Sequence, residues 1–224
     1  MEIDLQPTLW KLLWKFTRPF FEAIYVFEGD LSRQRPSVPP PPGFRVRLYR
    51  GGADLQAAID VLVPTGLGAA DISARLQRGD LAAVGFIGDQ VVAYTWASLT
   101  EARIKELAMN LCARADEVIQ YETLVLKPFR RQGLQFAVAK PVLDYLQEHG
   151  YARTLAWVNI FNRPSCKNQR KWGKRVLLTA ISVGIPGTRQ KHRWNFALGA
   201  PLDSLLLRAE DNPRPEPTPT REVD

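Results

Sequence analysis

Two arginines and one glycine stand where an apolar run at residues 118–126 passes into an amphipathic run at 132–148, in the stretch Arg130-Arg131-Gln132-Gly133-Leu134-Gln135. The first backbone N–H groups of a helix have no partner within the helix, and the helix dipole adds partial positive charge there. Gly133 would let the backbone approach a ligand closely. The stretch is therefore typical of a phosphate-binding turn, although a glycine at a strand-to-helix turn also serves plain turn geometry.

Two spaced motifs carry a resemblance to a known family. Residues 125–134 resemble the acyl-CoA-binding motif of the GNAT acyltransferase superfamily, in which a strand leads into Q/R-x-x-G-x-G/A at the start of a helix. Downstream, the family's second signature is similar to Asn162-Arg163-Pro164-Ser165, Gln169 and Trp172-Gly173. The motifs occur in the family's order, and the resemblance spans residues 44–199. It implies acetyl-CoA or another acyl-CoA as co-substrate.

Four positions depart from the family's pattern. Gln135 stands where the family has Gly or Ala, and Arg131 stands where a second Gly is common. Gln169 occupies the place of a Tyr that often serves as general acid, and Lys174 that of the usual Phe. The resemblance therefore implies CoA binding more directly than it implies the usual proton donor.

The resemblance also implies which residues contact the cofactor. In GNAT folds two neighbouring parallel strands splay apart and the pantetheine arm lies in the opening, which places the opening here between residues 118–126 and 154–159. Backbone groups of Leu124 and Leu126 would then pair with the pantetheine amides. The expected cofactor-binding residues are Leu124, Val125, Leu126, Arg130, Arg131, Gln132, Gly133, Leu134, Gln135, Asn162, Ser165, Lys167 and Gln169.

Acyl transfer to an amine requires a group that removes a proton from the amine. Glu122 is our candidate base, because strand alternation would put it on the side of Leu124 and burial beside apolar neighbours would raise its pKa. Tyr121 and Glu117 are rivals. Tyr121 or Tyr94 could supply a proton to the leaving thiolate, or the thiolate could leave to water. The alternative for Glu122 is a structural one, in which it pairs with an arginine.

Composition and charge narrow the class of protein. The chain has 224 residues, 46% of them hydrophobic, enough for one domain with a sizeable core. Two cysteines and two histidines give no spacing for a metal site or a disulfide framework, so we expect a cytoplasmic protein without metal. The net charge is +7, and residues 149–202 hold ten basic residues and no acidic one. That asymmetry favours an anionic partner, with CoA ranked above nucleic acid. The alternative is a solvated basic surface that opposes aggregation.

Two appendages flank the expected domain. Residues 8–21 place apolar aromatic side chains opposite Lys and Arg, a pattern typical of a helix that lies on a membrane surface or docks on a protein, such as a second copy of the chain. We expect an N-terminal segment with a short strand at 1–35, a proline-rich linker at 36–43, an acyltransferase domain at 44–207 and a disordered tail at 208–224.

Local patterns predict a hairpin through residues 88–89, a helix that begins after a cap at Asp71, and mainly loop, with at most one short strand, at 102–116. The pattern of elements predicts an α/β fold, specifically α+β. It has a mixed, mostly antiparallel sheet with one splayed parallel pair and helices on both faces. We expect an N-acetyltransferase that works by direct attack of an unknown amine on acetyl-CoA. The alternative is a catalytically degenerate member that binds acyl-CoA, a membrane surface or a nucleic acid. Residues 66–78 and 102–116 are the variable segments expected to bind the acceptor.

Overall fold

The structure, a computed structural model, describes residues 21–33, 39–184, 193–198 and 207–209. Its strands are β1 Phe21–Asp30, β2 Phe44–Tyr49, β3 Leu81–Ile87, β4 Gln90–Ser98, β5 Glu101–Ile104, β6 Met109–Cys112, β7 Glu117–Val125, β8 Arg153–Asn159, β9 Arg175–Gly184, β10 Arg193–Leu198 and β11 Leu207–Ala209. Its α-helices are α1 Leu55–Leu62, α2 Ala69–Gln77, α3 Leu134–Glu148 and α4 Arg163–Lys171.

Eight strands form one sheet in the order β10-β9-β1-β8-β7-β4-β3-β2. The pair β7 and β8 is parallel, and the other neighbouring pairs are antiparallel. The predicted hairpin through residues 88–89 joins β3 and β4. A mixed, mostly antiparallel sheet with one parallel pair is thus confirmed.

Helices cover both faces of this sheet, as predicted. On one face α1 and α2 bury Leu62 and Ile72 against Trp96 and Tyr121 of the sheet. On the other face α3 packs Val138 and its apolar neighbours against the strands. Each helix has its apolar residues at helical spacing, so burial of one stripe fixes its orientation. No helix of the described residues is long and apolar enough to cross a membrane.

Strand β1 lies between β8 and β9, near the middle of the sheet. Grouping this strand with an N-terminal appendage is therefore wrong for residues 21–30. The prediction took the proline run as a domain boundary. A stiff linker separates two segments along the chain, but it does not prevent residues 21–30 from pairing with strands that come after it. Residues 1–20, which hold most of the predicted amphipathic helix, and residues 34–38 lie outside the described residues.

Three local predictions also need correction. Residues 102–116, expected to be mainly loop, form the hairpin of β5 and β6, and β11 adds to it as a third strand. Residues 207–209 are therefore paired strand, and residues 210–224 of the predicted tail lie outside the described residues. Asp71 does not begin helix α2, whose N-cap is Gly68; it lies in the first turn and pairs with Arg75.

Candidate active site

The parallel strands β7 and β8 pair only at their beginnings. Their register runs from Glu117 opposite Arg153 to Ile119 opposite Leu155, and beyond these residues the two strands are no longer paired. An opening therefore separates residues 120–125 from residues 156–159, in the place that the family resemblance implies. Because the strands are parallel, α3 and α4 both begin beyond the carboxyl ends that border the opening.

A β-bulge interrupts β7 beside this opening. Tyr121 faces Trp96 and Leu124 faces Tyr94, so β7 has one more residue than β4 between these pairs. Glu122 takes up the extra length with a φ of 46°, in the left-handed region. Simple alternation would place Tyr121 and Glu122 on opposite faces of the sheet. The bulge places both on the face of α1 and α2, where both contact Arg75.

The carboxylate of Glu122 is held in an ion pair. Arg75 Nη1 of α2 lies 2.5 Å from Glu122 Oε2, and Lys105 Nζ, in the turn between β5 and β6, lies 3.8 Å from Oε1. The side chain of Glu122 is 31% exposed. The premise that apolar burial prepares Glu122 as a base is therefore wrong, and the structural alternative of pairing with an arginine describes it better. The two segments expected to bind the acceptor, 66–78 and 102–116, do converge on Glu122.

Arg75 is the centre of this cluster, and sequence reasoning missed it. Its side chain is 6% exposed and also pairs with Asp71 Oδ2 at 2.7 Å. Its guanidinium lies over the rings of Trp96 and Tyr121, at 5.0 and 5.3 Å from their centroids. The pKa of Arg75 is raised by its bond to Glu122 and by the surrounding negative charges, against the effect of burial. Nothing in the local sequence of α2 pairs Arg75 with Glu122, which is 47 residues away.

The hydroxyl of Tyr121 is committed to a neighbour. It donates to Asp80 Oδ2 at 2.6 Å, and Asp80 also accepts from Arg78. Burial and the charge of Asp80 raise the pKa of Tyr121 above its usual range. Burial also raises the pKa of Tyr94, followed by the charge of Glu122. Both phenols therefore stay protonated at neutral pH, and Tyr121 directs its proton to Asp80.

Glu117, the other rival base, lies at the start of β7, where the strands are still paired. Its carboxylate accepts from the backbone N–H of Arg114 at 3.0 Å and lies 3.3 Å from Arg153 Nη2. These contacts, together with its distance along the strand from the opening, give Glu117 a structural role.

The turn between β7 and α3 has the geometry of an anion site. A 3-10 helix, Lys127–Phe129, is followed by Arg131 and Gly133 in left-handed conformations, with φ of 68° and 73°. Within the described residues, the N-cap position of α3 is Gly133 and makes no side-chain capping hydrogen bond. Arg131 shows why glycine is common at its position, since this conformation costs a residue with a Cβ about 1–2 kcal/mol. Lys127, Arg130 and Arg131 are exposed around the turn.

The backbone groups that face the opening differ by one residue from the prediction. The N–H of Leu126 donates to Val92 O at 2.9 Å, and its carbonyl accepts from Phe129 N at 2.9 Å. Leu124 pairs with Tyr94 in the same ladder. Strand alternation therefore turns the backbone of Val125 away from β4, towards the opening. The carbonyl of Val125 accepts from Arg130 Nε at 3.1 Å.

Helix α4 borders the opening beyond β8 and is strongly basic. Its exposed residues Arg163, Lys167, Arg170 and Lys171 have no acidic residue among them. Asn162 is its N-cap, with Oδ1 accepting from the backbone N–H of Ser165 at 3.3 Å. Asn162 and Ser165, both expected at the cofactor, thus make a helix cap in this structure. Gln169 is half-buried, and its carbonyl accepts from Lys174 N.

Two side-chain pairs join β7 to neighbouring elements at the closed end of the opening, one on each face. We call this closed end the vertex, defined by Gln120, Tyr121, Trp157 and Lys174. On the α1–α2 face the rings of Tyr121 and Trp157 stack at 6.1 Å and 11°. On the α3 face Lys174 Nζ donates to Gln120 Oε1 at 3.1 Å.

The comparisons with known proteins bear on the fold. The sequence matches no family model and no curated protein significantly. Among solved structures, a GNAT-family acetyltransferase from Colwellia psychrerythraea is 11% identical with a TM-score of 0.50, over 72% of this chain and 55% of that one. A GCN5-related N-acetyltransferase from Sphaerobacter thermophilus is 16% identical with a TM-score of 0.47, over 85% of this chain and 58% of that one. This chain therefore spans little more than half the length of either protein.

A third similar structure is AAC(6')-Iy in complex with the bisubstrate analogue CoA-S-monomethyl-acetylneamine. It is 16% identical, with a TM-score of 0.45, over 58% of this chain and 89% of that one. At such identities the likeness concerns the fold, and the chemistry has to be argued from the residues of the opening.

Proposed function

Because this chain has the fold of the GNAT acyltransferases, we propose that it is an acyl-CoA-dependent acyltransferase, and specifically an N-acetyltransferase. In this proposal an acceptor amine attacks the thioester of acetyl-CoA directly. One observation carries the proposal: the opening between β7 and β8 leads straight to the uncapped, basic start of α3. An acyl-CoA would fit both features, because its phosphates can bind at the start of the helix and its long pantetheine arm can lie in the opening.

On the cofactor side, the pyrophosphate would take the first N–H groups of α3, near Leu134 and Gln135. Arg130 and Arg131 would add positive charge, and Gly133 would keep the approach open. The pantetheine arm would lie along β7, where the backbone of Val125 faces the opening. Lys167 and Arg170 of α4 would neutralise the remaining phosphate charge.

On the acceptor side, the amine would approach from the face of α1 and α2. Glu122 presents a partly exposed carboxylate there, and Arg75 and Lys105 hold it in place. We assign to Glu122 the orientation of the amine through a hydrogen bond, since the contacts with Arg75 and Lys105 fix its carboxylate while one side of it stays exposed. The proton of the amine would then pass directly to water, which reaches the exposed side of Glu122.

The test is thermal unfolding with and without CoA, in the natural chain and in two glycine variants. CoA should raise the melting temperature of the natural chain, because a ligand that binds only the folded state stabilises it. Gly133→Val should abolish that rise. Gly150→Val is the matched control, since Gly150 also has positive φ but lies after the far end of α3. If millimolar CoA leaves the natural chain's melting temperature unchanged, the proposal is wrong.

A second candidate is a degenerate GNAT protein that binds acyl-CoA without catalysis. The ion pair of Glu122 and the replacement of the family's Tyr by Gln169 favour it. In that case the N-terminal segment 8–21 would provide contact with a membrane surface or a second copy. The two candidates differ in one measurement: an enzyme releases free thiol from acetyl-CoA when a suitable amine is added, and a binding protein does not.

A further inference from the structure

Lys174 stands where the family has Phe, and its side chain extends across the sheet from the start of β9 towards β7. It begins just before β9 and passes over Gly29 of β1, where a Cβ would come within 2.7 Å of Lys174 Cγ. Glycine at this position therefore leaves room for the crossing. Lys174 is 4% exposed, and its ammonium donates a hydrogen bond to Gln120 Oε1 of β7 at 3.1 Å. Lys174 Nζ also lies 5.9 Å from the ring centroid of Trp172.

Gln120 is the first residue of β7 beyond the last β7–β8 pair. Its Nε2 is within 3.4 Å of Thr95 Oγ1 and 3.5 Å of Thr123 Oγ1, and these two hydroxyls lie 2.7 Å apart. Thr123 is exposed beside the bulge. The ammonium of Lys174 is thus tied to a polar group that reaches the opening at its vertex.

The direction in which the cofactor lies along β7 decides which of its atoms would be nearest the vertex. If the pyrophosphate binds at the start of α3, the arm begins at the carboxyl end of β7 and runs back along the strand. Its sulfur end is then the end nearest the vertex. We propose that Lys174 assists departure of the leaving group: its ammonium stabilises the CoA thiolate as acyl transfer proceeds. This inference rests on the proposed function.

The acceptor nitrogen forms a bond to the acyl carbon, and the carbon–sulfur bond breaks with its electron pair going to sulfur. The nitrogen loses its proton to water, and the thiolate later takes a proton from water. A fixed positive charge at the place where negative charge develops lowers the barrier without itself being consumed. The same charge lowers the pKa of a thiol beside it.

Among the described residues, several charged side chains near the vertex form ion pairs with one another. Glu117 of β7 and Glu28 of β1 both contact Arg153 of β8, at 3.3 and 3.6 Å. Arg175 of β9 pairs with Glu28 at 2.7 Å. On the opposite face, Glu122 is held by Arg75 and Lys105. The basic residues of α4, such as Arg170, are exposed to solvent.

The test measures the thiol of bound CoA directly. CoA is titrated with pH on the natural chain and on Lys174→Met, and the thiolate is followed by its ultraviolet absorbance. The bound thiol should have a pKa at least about one unit lower on the natural chain than on Lys174→Met. Lys171→Met, which removes one exposed charge from the end of α4, should leave the bound thiol unchanged. With an acyl acceptor, Lys174→Met should lower kcat about tenfold to hundredfold with little change in KM for acyl-CoA.

Gln120→Glu is a second variant, in case Lys174→Met does not fold. It keeps the lysine but places a carboxylate against it, and it should raise the pKa of the bound thiol towards that of free CoA. Equal thiol pKa values on the natural chain and on whichever variant folds would overturn the role of Lys174 while leaving CoA binding intact. Failure of CoA to bind the natural chain at all would overturn the proposed function and this inference together.

Discussion

Breaking the contact between Arg75 and Glu122 should destabilise the fold, whichever partner is removed. Arg75 is 6% exposed and has two carboxylate partners and two aromatic rings around it, so removal of a partner leaves a largely buried charge. Breaking a buried pair typically costs about 3–5 kcal/mol. Glu122 is partly exposed, and Arg75 keeps its contact with Asp71 when Glu122 is removed. We therefore expect the free energy of unfolding to fall by about 2 kcal/mol in Glu122→Gln and by about 3 kcal/mol in Arg75→Met.

The double variant separates the pair from its surroundings. Once one partner is gone, removal of the other should lower the free energy of unfolding by less. The loss in the double variant should therefore be about 1–2 kcal/mol smaller than the sum of the two single losses. Urea unfolding followed by circular dichroism measures all four proteins. The pair Lys140 and Asp144 of α3 is a matched control, because both side chains are exposed. Asp144→Asn should cost no more than about 0.5 kcal/mol.

Two outcomes would refute this account of Glu122. If the two single changes add within about 0.5 kcal/mol, the residues are not coupled. If Glu122→Gln leaves stability unchanged and abolishes acyl transfer, Glu122 acts as a base and its contact with Arg75 is incidental.

Three further predictions follow from single elements. Asn162→Ala should lower the free energy of unfolding by about 1 kcal/mol without CoA, because it removes the cap of α4; unchanged stability with weakened CoA binding would instead make Asn162 a cofactor contact. The raised pKa of Tyr121 means that the unfolded chain loses this proton first, so stability should fall as pH rises above about 10, and Tyr121→Phe should reduce that slope in urea unfolding. Deleting residues 1–30 should prevent cooperative folding, because it removes β1 from between β8 and β9; a truncated chain with the natural circular dichroism spectrum would contradict this.

Much of the fold could be predicted because it depends on neighbouring residues. The turn at residues 130–135, the hairpin through Gly88 and the apolar strand before Gly133 each lie within one short window of sequence. Local spacing was enough to give the order of the main elements, and the family resemblance then implied the opening between the two parallel strands. The prediction failed where the local pattern was weak, as in the hairpin of β5 and β6. The apolar residues of this hairpin show no clear period in the sequence, and packing against the core of the main sheet holds them in place.

The sequence by itself determined the motifs, the uneven charge and the basic, glycine-containing character of the turn before α3, because these are set by residue type and short spacing. Only the tertiary structure decided how the side chains meet. Arg75 reaches Glu122 across 47 residues, and Lys174 reaches Gln120 across 54. These contacts depend on the strand order and on a one-residue bulge at Glu122, neither of which leaves a periodic signal. The physical reason is that a sheet joins residues by register between strands, whereas a sequence displays only the neighbours along one strand.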